Sequence, residues 1–582
     1  MARVPGLRRR DPGLAAACPR RKERAPAPAC RGASLVGWGI VPPSAPRLVG
    51  WGLTLLPLLL AGCRGPGPFR VEENLQAEGP GALRAGVATR VFTPLPGYPL
   101  GGYGGGARRA EFPFALGLGW YGRLALAAHL AWHREGDEPA DLLVPNRGVH
   151  DPLSARALVL RPEGQPPLAL VRLDAIGCTA ELHARVVAAL EDLGYRPDRV
   201  VLAATHTHSG PGSFMRAPFA CLVAMDVFRP EVEEALARAC VEAVRAAHEA
   251  ARPAAIGFGA VRDRGPDGLP RIAKNRRHRR FRGEIPLDAI DDEVGFLRVD
   301  DLETGRPLAL VVNYAVHPTV LGSDNLEFSA DLAGGIERAL GARVGAPVLF
   351  FNGAEGDVGP RRIEAPHGHE RIAELGEAFA DLVAPAVASV ETHPRVEVSS
   401  AWGSKELGRP YTQVALGRER FLDGDRGPWA WLGAPLALPV NAVLWALGLT
   451  NVRVAIPWTF ALGVVLELDA LVPRTRTRFL GLRLRAGPEE VALLTVPGEP
   501  THDVGLEIKE RARRAGARRA FVVGLALDHI GYVASRREYR RGGYEAWSTL
   551  FGEGTAGQVL AAADALLEAL GFEEGSAALG KK

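Results

Sequence analysis

The sequence predicts an α/β protein: a single large domain in which helices flank a mixed β-sheet. Three observations predict this class. From residue 84 onward, apolar runs of strand length alternate with amphipathic helical segments. Several of these runs end directly in histidine or acidic residues, and ligand sites in parallel α/β sheets lie beyond strand ends. A chain of 582 residues is also long enough for one large domain behind an N-terminal leader.

The predicted elements follow one another along the chain in a regular order. Leu182, Val186, Leu190 and Leu193 fall at helical spacing, and Gly194 predicts the end of that helix. Pro230 suits the first turn of a second, alanine-rich helix. The other predictions are strands at Arg199–Ala204, Leu308–Val316, Val348–Phe351, Val491–Val496 and Phe521–Leu527, and the second helix at Pro230–Ala251.

The charge distribution argues against nucleic acid as a partner. The whole chain has a net charge of +4, but residues 1–62 contain ten Lys/Arg against two Asp/Glu. Subtracting this local +8 from the total of +4 leaves −4 for the remainder. A mildly acidic body lacks the basic surface that nucleic-acid binding requires. The six cysteines have the spacing of neither a CxxC metal site nor a dense disulfide framework.

The N-terminal region has the features of an export signal. The apolar run at residues 48–60 is shorter than the roughly 20 residues that span a bilayer, but it suits a signal-peptide core. It ends in Leu60-Ala61-Gly62-Cys63, which resembles a bacterial lipobox. We therefore expect residues 1–62 to be a leader with a signal peptide, and residues 63–83 to be a tether. A lipidated Cys63 would anchor the secreted protein in the cell envelope, at the periplasmic face of a membrane or in the outer membrane.

An apolar segment without charge interrupts the domain at residues 429–449. Three interpretations fit it: an insertion over about 429–471 that lines a lipid site or dips into the membrane surface, plain core, or a transmembrane helix. Pro435 and Pro439 argue against the helix, because proline breaks helical hydrogen bonding. We favour the insertion, which would be a second membrane contact.

The strand predicted at Arg199–Ala204 leads into the sequence THTHSGPG at Thr205–Gly212. Side chains two positions apart in an extended chain point to the same side, so His206 and His208 address one cavity. An isolated His-x-His pair also fits two hydrogen-bonded histidines without a metal.

Other predicted strands end in a similar way. One ends at His317, one at Glu499, and one leads into Asp528-His529. Two histidines and a carboxylate form a catalytic zinc set with an open position for water. Zinc would lower the pKa of that water towards about 7 and polarise a carbonyl group. The sequence therefore predicts a metal site at the carboxyl ends of the strands.

Several segments, in this order along the chain, resemble the N-terminal catalytic domain of the neutral/alkaline non-lysosomal ceramidase family. The segments are Thr205–Gly212, Asn275-Arg276, His317, Gly356-Asp357-Val358, the Pro-Gly-Glu at Glu499 and the tyrosine-rich run Gly531–Gly552. The resemblance implies a Zn²⁺-dependent hydrolase that acts on linear amides.

The resemblance also implies residue roles. The implied zinc ligands are His206, His317, Glu499 and Tyr532. The implied catalytic and substrate-binding residues are His208, Arg276 and Tyr544. His208 would carry a proton to the leaving amine, and Arg276 and Tyr544 would hold substrate oxygens. Two plainer interpretations stay open: Arg276 in a solvated charge run, and the tyrosines as core residues.

The chain departs from the family at one position. The ceramidases have a catalytic serine in a Gly-Asp-x-Ser-Pro segment, whereas this chain has Gly359 at that position. Glycine has no hydroxyl group, so a serine nucleophile is excluded there.

The leading hypothesis is a zinc-dependent hydrolase that cleaves the amide bond of an N-acyl lipid, ceramide-like, with metal-activated water. The lipid partner would be an N-acyl sphingoid-like molecule. Two alternatives are a zinc hydrolase of another envelope amide or ester, and a catalytically inactive lipid-binding lipoprotein.

Overall fold

The computed structural model describes residues 66–572, with gaps at residue 95 and at residues 109–139, 282–283, 362–367, 416–451 (apart from 439, 442 and 443), 456–462 and 470. All described residues belong to one compact unit. The predicted leader with Cys63, and nearly all of the apolar segment 429–449, lie outside the described residues. Within them, no helix is both long enough and apolar enough to cross a membrane.

The described strands are mostly short and occur along the whole chain. In chain order they are β1 (Arg70–Leu75), β2 (Gly81–Val91), β3 (Gly148–Val149), β4 (Ser154–Pro162), β5 (Leu168–Leu173), β6 (Val200–Ala204), β7 (Arg252–Arg262), β8 (Ala273–Asn275), β9 (Glu293–Asp301), β10 (Pro307–Tyr314), β11 (Glu327–Phe328), β12 (Val348–Asn352), β13 (Val358–Pro360), β14 (Arg395–Glu406), β15 (Tyr411–Ala415), β16 (Val452–Ala455), β17 (Gly463–Glu467), β18 (Arg476–Ala486), β19 (Glu489–Thr495), β20 (Glu499–Pro500), β21 (Arg519–Val523) and β22 (Tyr532–Val533).

The described helices connect these strands. They are α1 (Ala180–Ala188), α2 (Pro230–Glu249), α3 (Asp331–Val344), α4 (His369–Ala388), α5 (His502–Arg514), α6 (Arg536–Arg541), α7 (Tyr544–Trp547) and α8 (Thr555–Ala569). Shorter helical turns occupy Gly106–Arg108, Glu191–Leu193, Pro197–Arg199, Pro218–Ala220, Cys221–Met225 and Arg276–Arg279.

One mixed sheet of thirteen strands forms the centre of the described chain. Its main path runs β12-β10-β9-β7-β2-β14-β18-β19-β21, with β1 paired to β14 and the series β4-β5-β6 attached to β2. Most neighbours are antiparallel, but β5 and β6, β10 and β12, and β19 and β21 are parallel pairs. The predicted α/β class with a mixed sheet is therefore confirmed.

The carboxyl ends of the parallel strands meet. Gly524 N donates to Asn352 O at 3.0 Å and joins the ends of β21 and β12. Leu527 N donates to Leu202 O at 2.9 Å and joins the loop after β21 to β6. This junction brings chain segments from distant parts of the sequence to one place, as ligand sites at strand ends require.

The sheet folds back on itself, so its strands are covered on both faces. Side chains on one face of the strands pack against strands from the other part of the same sheet, and helices cover the opposite face. Every residue of β5, β6 and β12 is therefore buried. Helix α2 packs on β2 and β4, while α3 packs on α4 and β12. Gly86 permits the close approach of α2, because a Cβ atom there would lie only 2.1 Å from Ala247 O.

Two sequence predictions need correction. The segment 63–83, predicted as a tether, contains β1, because Arg70–Leu75 pair along β14 and extend the sheet. The strand predicted over Phe521–Leu527 ends at Val523, because Leu525 and Leu527 have φ angles of 54° and 69°, which extended chains do not adopt.

Candidate metal centre

The structure brings the four predicted metal ligands together. His206 follows β6, His317 follows β10, and Glu499 and Tyr532 face each other across the parallel pair β20 and β22. His206 Nε2 and His317 Nε2 each lie 3.4 Å from Glu499 Oε2. Tyr532 OH lies 3.3 Å from His317 Nε2. All four residues are buried.

The spacing of these donor atoms fits a divalent metal ion. A tetrahedron with metal–ligand bonds of about 2.0–2.1 Å has edges of about 3.3–3.4 Å. Three of the six donor–donor distances, at 3.3–3.4 Å, lie in that range. Glu499 Oε2 has no hydrogen-bond partner among the described residues, although buried polar atoms normally have one. These residues therefore form a donor set that a metal ion would satisfy.

Backbone carbonyl groups orient both imidazoles. His206 Nδ1 lies 2.6 Å from Ile176 O, and His317 Nδ1 lies 2.7 Å from Glu355 O. Because a carbonyl oxygen only accepts, each Nδ1 must donate its proton, and each Nε2 faces the site as an acceptor. His206 also has a φ angle of 70°, a strained conformation for a residue with a side chain.

The pKa shifts of His317 and Glu499 favour metal binding. Burial, reinforced by the charge of Arg276, lowers the pKa of His317 to about 3. Burial alone would raise the pKa of the Glu499 carboxyl, but interactions with His206, His317 and His529 hold that pKa well below its usual value. Neutral imidazoles and ionised carboxylates are the forms that bind metals.

Arg276 lies in the site rather than in a solvated charge run. Its Nη2 donates to Tyr532 OH and to Gly356 O, both at 2.7 Å, and its Nε donates to Glu545 Oε1 at 3.1 Å. The guanidinium carbon is 5.5 Å from the centre of the Tyr532 ring and 5.7 Å from that of Tyr544. Arg276 therefore places a fixed positive charge beside the donor set.

His208 lines the same cavity as His206. The two Nε2 atoms are 3.3 Å apart. The His208 ring therefore lies next to the donor set and can contact a molecule bound in the cavity. Arg108, which is buried, donates from Nη1 to the backbone oxygen of His208 and from Nη2 to Ser209 Oγ. The Tyr103 ring packs 4.6 Å from the His208 ring.

A cavity of about 660 Å³ opens from the donor set. Tyr544 lines it beside Tyr532, with the two ring centres 5.3 Å apart, and is 55% exposed, so it is not a core residue. Away from the histidines, most of the wall is apolar, including Met215, Phe219, Val223, Leu407, Val472 and Phe551. Volume and lining are typical of a small-molecule site.

Gly359 lies beside Arg276. It belongs to β13, where it pairs with Lys274 of β8. A Cβ atom at this position would meet Arg276 Cβ at 3.8 Å, an ordinary van der Waals contact. The site therefore has room for a small side chain here, and the missing hydroxyl group is not a consequence of crowding.

The sequence motifs assigned no role to three polar residues of this site. Glu355 is fully buried beside Glu499, and its burial and the Glu499 charge raise the pKa of its carboxyl well above the usual value. His529 Nε2 lies 3.4 Å from Glu499 Oε1. Asn352 joins the strand ends that precede both ligand histidines. Each follows or ends an apolar run, which is the signal that could have identified it.

A second buried polar cluster, around Asp357 and His502, contacts the backbone of Arg276. Asp357 accepts from His502 Nδ1 at 2.7 Å, from His502 N at 2.8 Å and from Asn275 Nδ2 at 2.9 Å. Arg276 N donates to Asp357 O at 2.8 Å. The Gly-Asp segment singled out by the sequence thus positions Arg276 through its backbone.

Comparison with known proteins identifies relatives. Residues 140–345 match the family model described as neutral/alkaline non-lysosomal ceramidase, N-terminal. A neutral ceramidase of Mycobacterium tuberculosis is 25% identical over 471 residues, which cover 70% of this chain and 69% of that protein. Neutral ceramidase A of Dictyostelium discoideum is 21% identical over 492 residues, which cover 70% of this chain and 66% of that protein.

Two solved structures have the same fold. The neutral ceramidase of Pseudomonas aeruginosa matches with a TM-score of 0.60 and 20% identity, over 84% of this chain and 75% of that chain. A ceramidase complexed with C2 matches with a TM-score of 0.63 and 20% identity, over 86% of this chain and 77% of that chain. The resemblance predicted from the sequence motifs is thereby confirmed: this chain is similar to the neutral/alkaline non-lysosomal ceramidases.

Proposed function

We propose that this protein is a zinc-dependent hydrolase that cleaves the amide bond of an N-acyl lipid of the ceramide class. The observation that carries the proposal is the donor set of His206, His317, Glu499 and Tyr532 at tetrahedral spacing, facing a largely apolar cavity. The names of the relatives, all neutral ceramidases, support the choice of substrate.

These four side chains would hold the cation. A bound Zn²⁺ would act as a Lewis acid on the substrate carbonyl and lower the pKa of a water molecule to about 7. Arg276 and Tyr544, on one side of the donor set, would hold substrate oxygens and stabilise negative charge that develops on them. His208 would carry a proton to the leaving amine, since its ring lines the same cavity.

The apolar wall of the cavity would take one hydrocarbon chain of the substrate. Burial of each CH₂ group contributes about 0.8 kcal/mol, so a long chain would supply most of the binding free energy. The polar side chains near the donor set would then determine which bond of the substrate lies next to it.

The proposal is tested with purified protein, its zinc content and a panel of N-acyl lipids. We expect one bound zinc per chain and release of fatty acid from ceramides, with little release from ester lipids of equal chain length. Preferred ester cleavage would support the envelope-esterase alternative. Full zinc occupancy without turnover of any lipid would support the lipid-binding alternative, which Gly359 favours.

We further propose, from the Leu60–Cys63 segment, that Cys63 is the lipidated N-terminus and that the protein is anchored in the cell envelope. Cys63→Ser should release the protein from membranes or block its processing. Mass spectrometry that finds an unmodified Cys63 inside a longer mature chain would contradict this.

A further inference from the structure

Glu355 is a buried carboxyl group without a partner. The residue has no exposed surface, and neither Oε1 nor Oε2 has a hydrogen-bond partner among the described residues. Burial of an uncompensated charge costs several kcal/mol, so such a group normally pairs with a cation or coordinates a metal.

The position of Glu355 indicates that the cation that would compensate its charge is the metal ion of the proposed centre. Its carboxylate, His206 and Glu499 offer ligand atoms that all lie within 4.8 Å of one another. Its own backbone oxygen accepts from His317 Nδ1 at 2.7 Å, so the same residue orients one histidine of the donor set. The Glu355 side chain therefore lies in the protein interior, next to His206 and Glu499 of the donor set.

The surrounding backbone leaves space for this side chain. Glu355 Oε2 would lie 2.8 Å from a Cβ atom at Gly524, and Gly353 O would lie 2.4 Å from it. Any larger residue at position 524 would displace the carboxylate. Gly524, in the loop after β21, thus packs closely against the Glu355 carboxyl group, and no described residue donates a hydrogen bond to that group.

We infer that Glu355 is a further metal ligand of this centre, with its carboxylate joining His206 and Glu499 around one divalent cation. The inference rests on the proposed metal centre but not on the identity of the substrate. A second carboxylate adds a negative charge to the donor set. It should raise affinity for a dication and make the site more tolerant of metals that prefer oxygen ligands, such as Mn²⁺.

The test compares Glu355→Gln with wild-type protein, and uses Glu538→Gln as the matched control. Glu538 is also buried and lies in the neighbouring Asp357–His502 cluster. Zinc affinity is measured by competition with a chelator, and thermal unfolding is followed with and without metal. We expect Glu355→Gln to bind zinc 10–100-fold more weakly. We expect Glu538→Gln to bind zinc as the wild type does.

Thermal unfolding separates a ligand from a structural residue. Metal-free Glu355→Gln should be at least as stable as the metal-free wild type, because the substitution replaces a buried carboxyl group that has no hydrogen-bond partner among the described residues by a neutral side chain of equal size. Its gain in Tm on adding zinc should be smaller than that of the wild type. A purely structural role predicts the opposite: lower stability without metal and an unchanged gain.

A measurement on the wild-type chain alone keeps the inference falsifiable if the variant does not fold. In a structure of the zinc-loaded protein, a Glu355 oxygen should lie about 2.0–2.2 Å from the metal. An oxygen beyond about 3 Å, or unchanged zinc affinity in Glu355→Gln, overturns the inference. If the wild type binds no divalent metal, the proposed function fails together with it.

Discussion

At the scale of single residues, His206 and His208 have different surroundings although they are two positions apart. His206 Nδ1 is fixed by Ile176 O, and its Nε2 faces Glu499. His208 Nδ1 has no hydrogen-bond partner among the described residues, and its ring lines the cavity beside Tyr103. A carbonyl group therefore orients His206 as a ligand, whereas His208, with its Nε2 3.3 Å from His206 Nε2, has no such orienting partner at Nδ1 among the described residues.

This difference predicts separable phenotypes. His206→Ala should remove both zinc and activity. His208→Ala should keep its zinc and lower kcat by roughly 10²–10⁴-fold, the usual contribution of a general acid or base. Zinc content and turnover are measured for both variants on the same substrate. Loss of zinc from His208→Ala with retention in His206→Ala would show that the two roles are reversed.

Gly359 gives a second prediction at this scale. Gly359→Ser should fold normally, because its Cβ atom would meet Arg276 Cβ at 3.8 Å. If water is the nucleophile, the added hydroxyl should change kcat less than tenfold. The matched control is Gly356→Ser, whose Cβ atom would lie 2.6 Å from Glu499 O, and which should lower Tm. An increase in kcat above a hundredfold in Gly359→Ser would instead indicate a direct role for the hydroxyl group.

At the scale of elements, Asn352 joins the ends of β6, β10 and β12 by hydrogen bonds. Its Nδ2 donates to Val316 O at 2.9 Å and to Thr205 O at 3.2 Å, and its Oδ1 accepts from Val316 N at 3.1 Å. Thr205 and Val316 directly precede His206 and His317. One side chain at the end of β12 therefore sets the separation of the two ligand histidines.

Asn352→Ala should lower the free energy of unfolding by about 2–4 kcal/mol, because buried backbone groups lose their partners. It should also weaken zinc binding. Asn313→Ala is the control. Asn313 Nδ2 donates to the backbone oxygens of Phe351, Asn352 and Val522, and not to Thr205 or Val316, which precede the histidines. Equal zinc affinity in the two variants at equal stability would contradict a role for Asn352 in spacing the ligands.

The elements themselves were largely predictable, and their ends were not. The strand at Val200–Ala204 and the helix from Pro230 follow from local apolar periodicity and from the place of a proline. The strand after Phe521 was predicted four residues too long. Leu525 and Leu527 are apolar, but their positive φ angles are imposed by hydrogen bonds to Gly498 and Leu202, which local periodicity does not show.

At the scale of the whole molecule, the buried pair of Asp357 and His502 joins two distant parts of the chain. Burial would lower the pKa of His502, but the charge of Asp357, assisted by Glu538 and Asp503, raises it to about 9. The usual value is about 6.5. Because the folded pKa lies above the unfolded one, the stabilisation is complete below pH 6.5 and is lost as pH rises through about 9.

We therefore expect the free energy of unfolding to fall by about 1–3 kcal/mol between pH 6.5 and 9.5. His502→Gln should have a lower free energy of unfolding than the wild type at pH 6.5. In this variant the free energy should not show the decrease between pH 6.5 and 9.5 that comes from His502. Denaturant unfolding of both proteins at several pH values measures it. Parallel pH profiles for the two proteins would show that the pair contributes no proton linkage.

The α/β class, the main buried strands and the residue types at their ends follow from the sequence alone, because burial and strand periodicity are local properties that each segment carries with it. The motifs also identified His206, His317, Glu499, Tyr532 and Arg276 by resemblance. Which side chains meet depends on the tertiary structure, because the apolar runs that precede Glu355, Asn352 and His529 do not show which strand ends lie together. Their roles arise where β6, β10, β12 and β21 end together, and that junction is made by contacts between residues far apart in the chain.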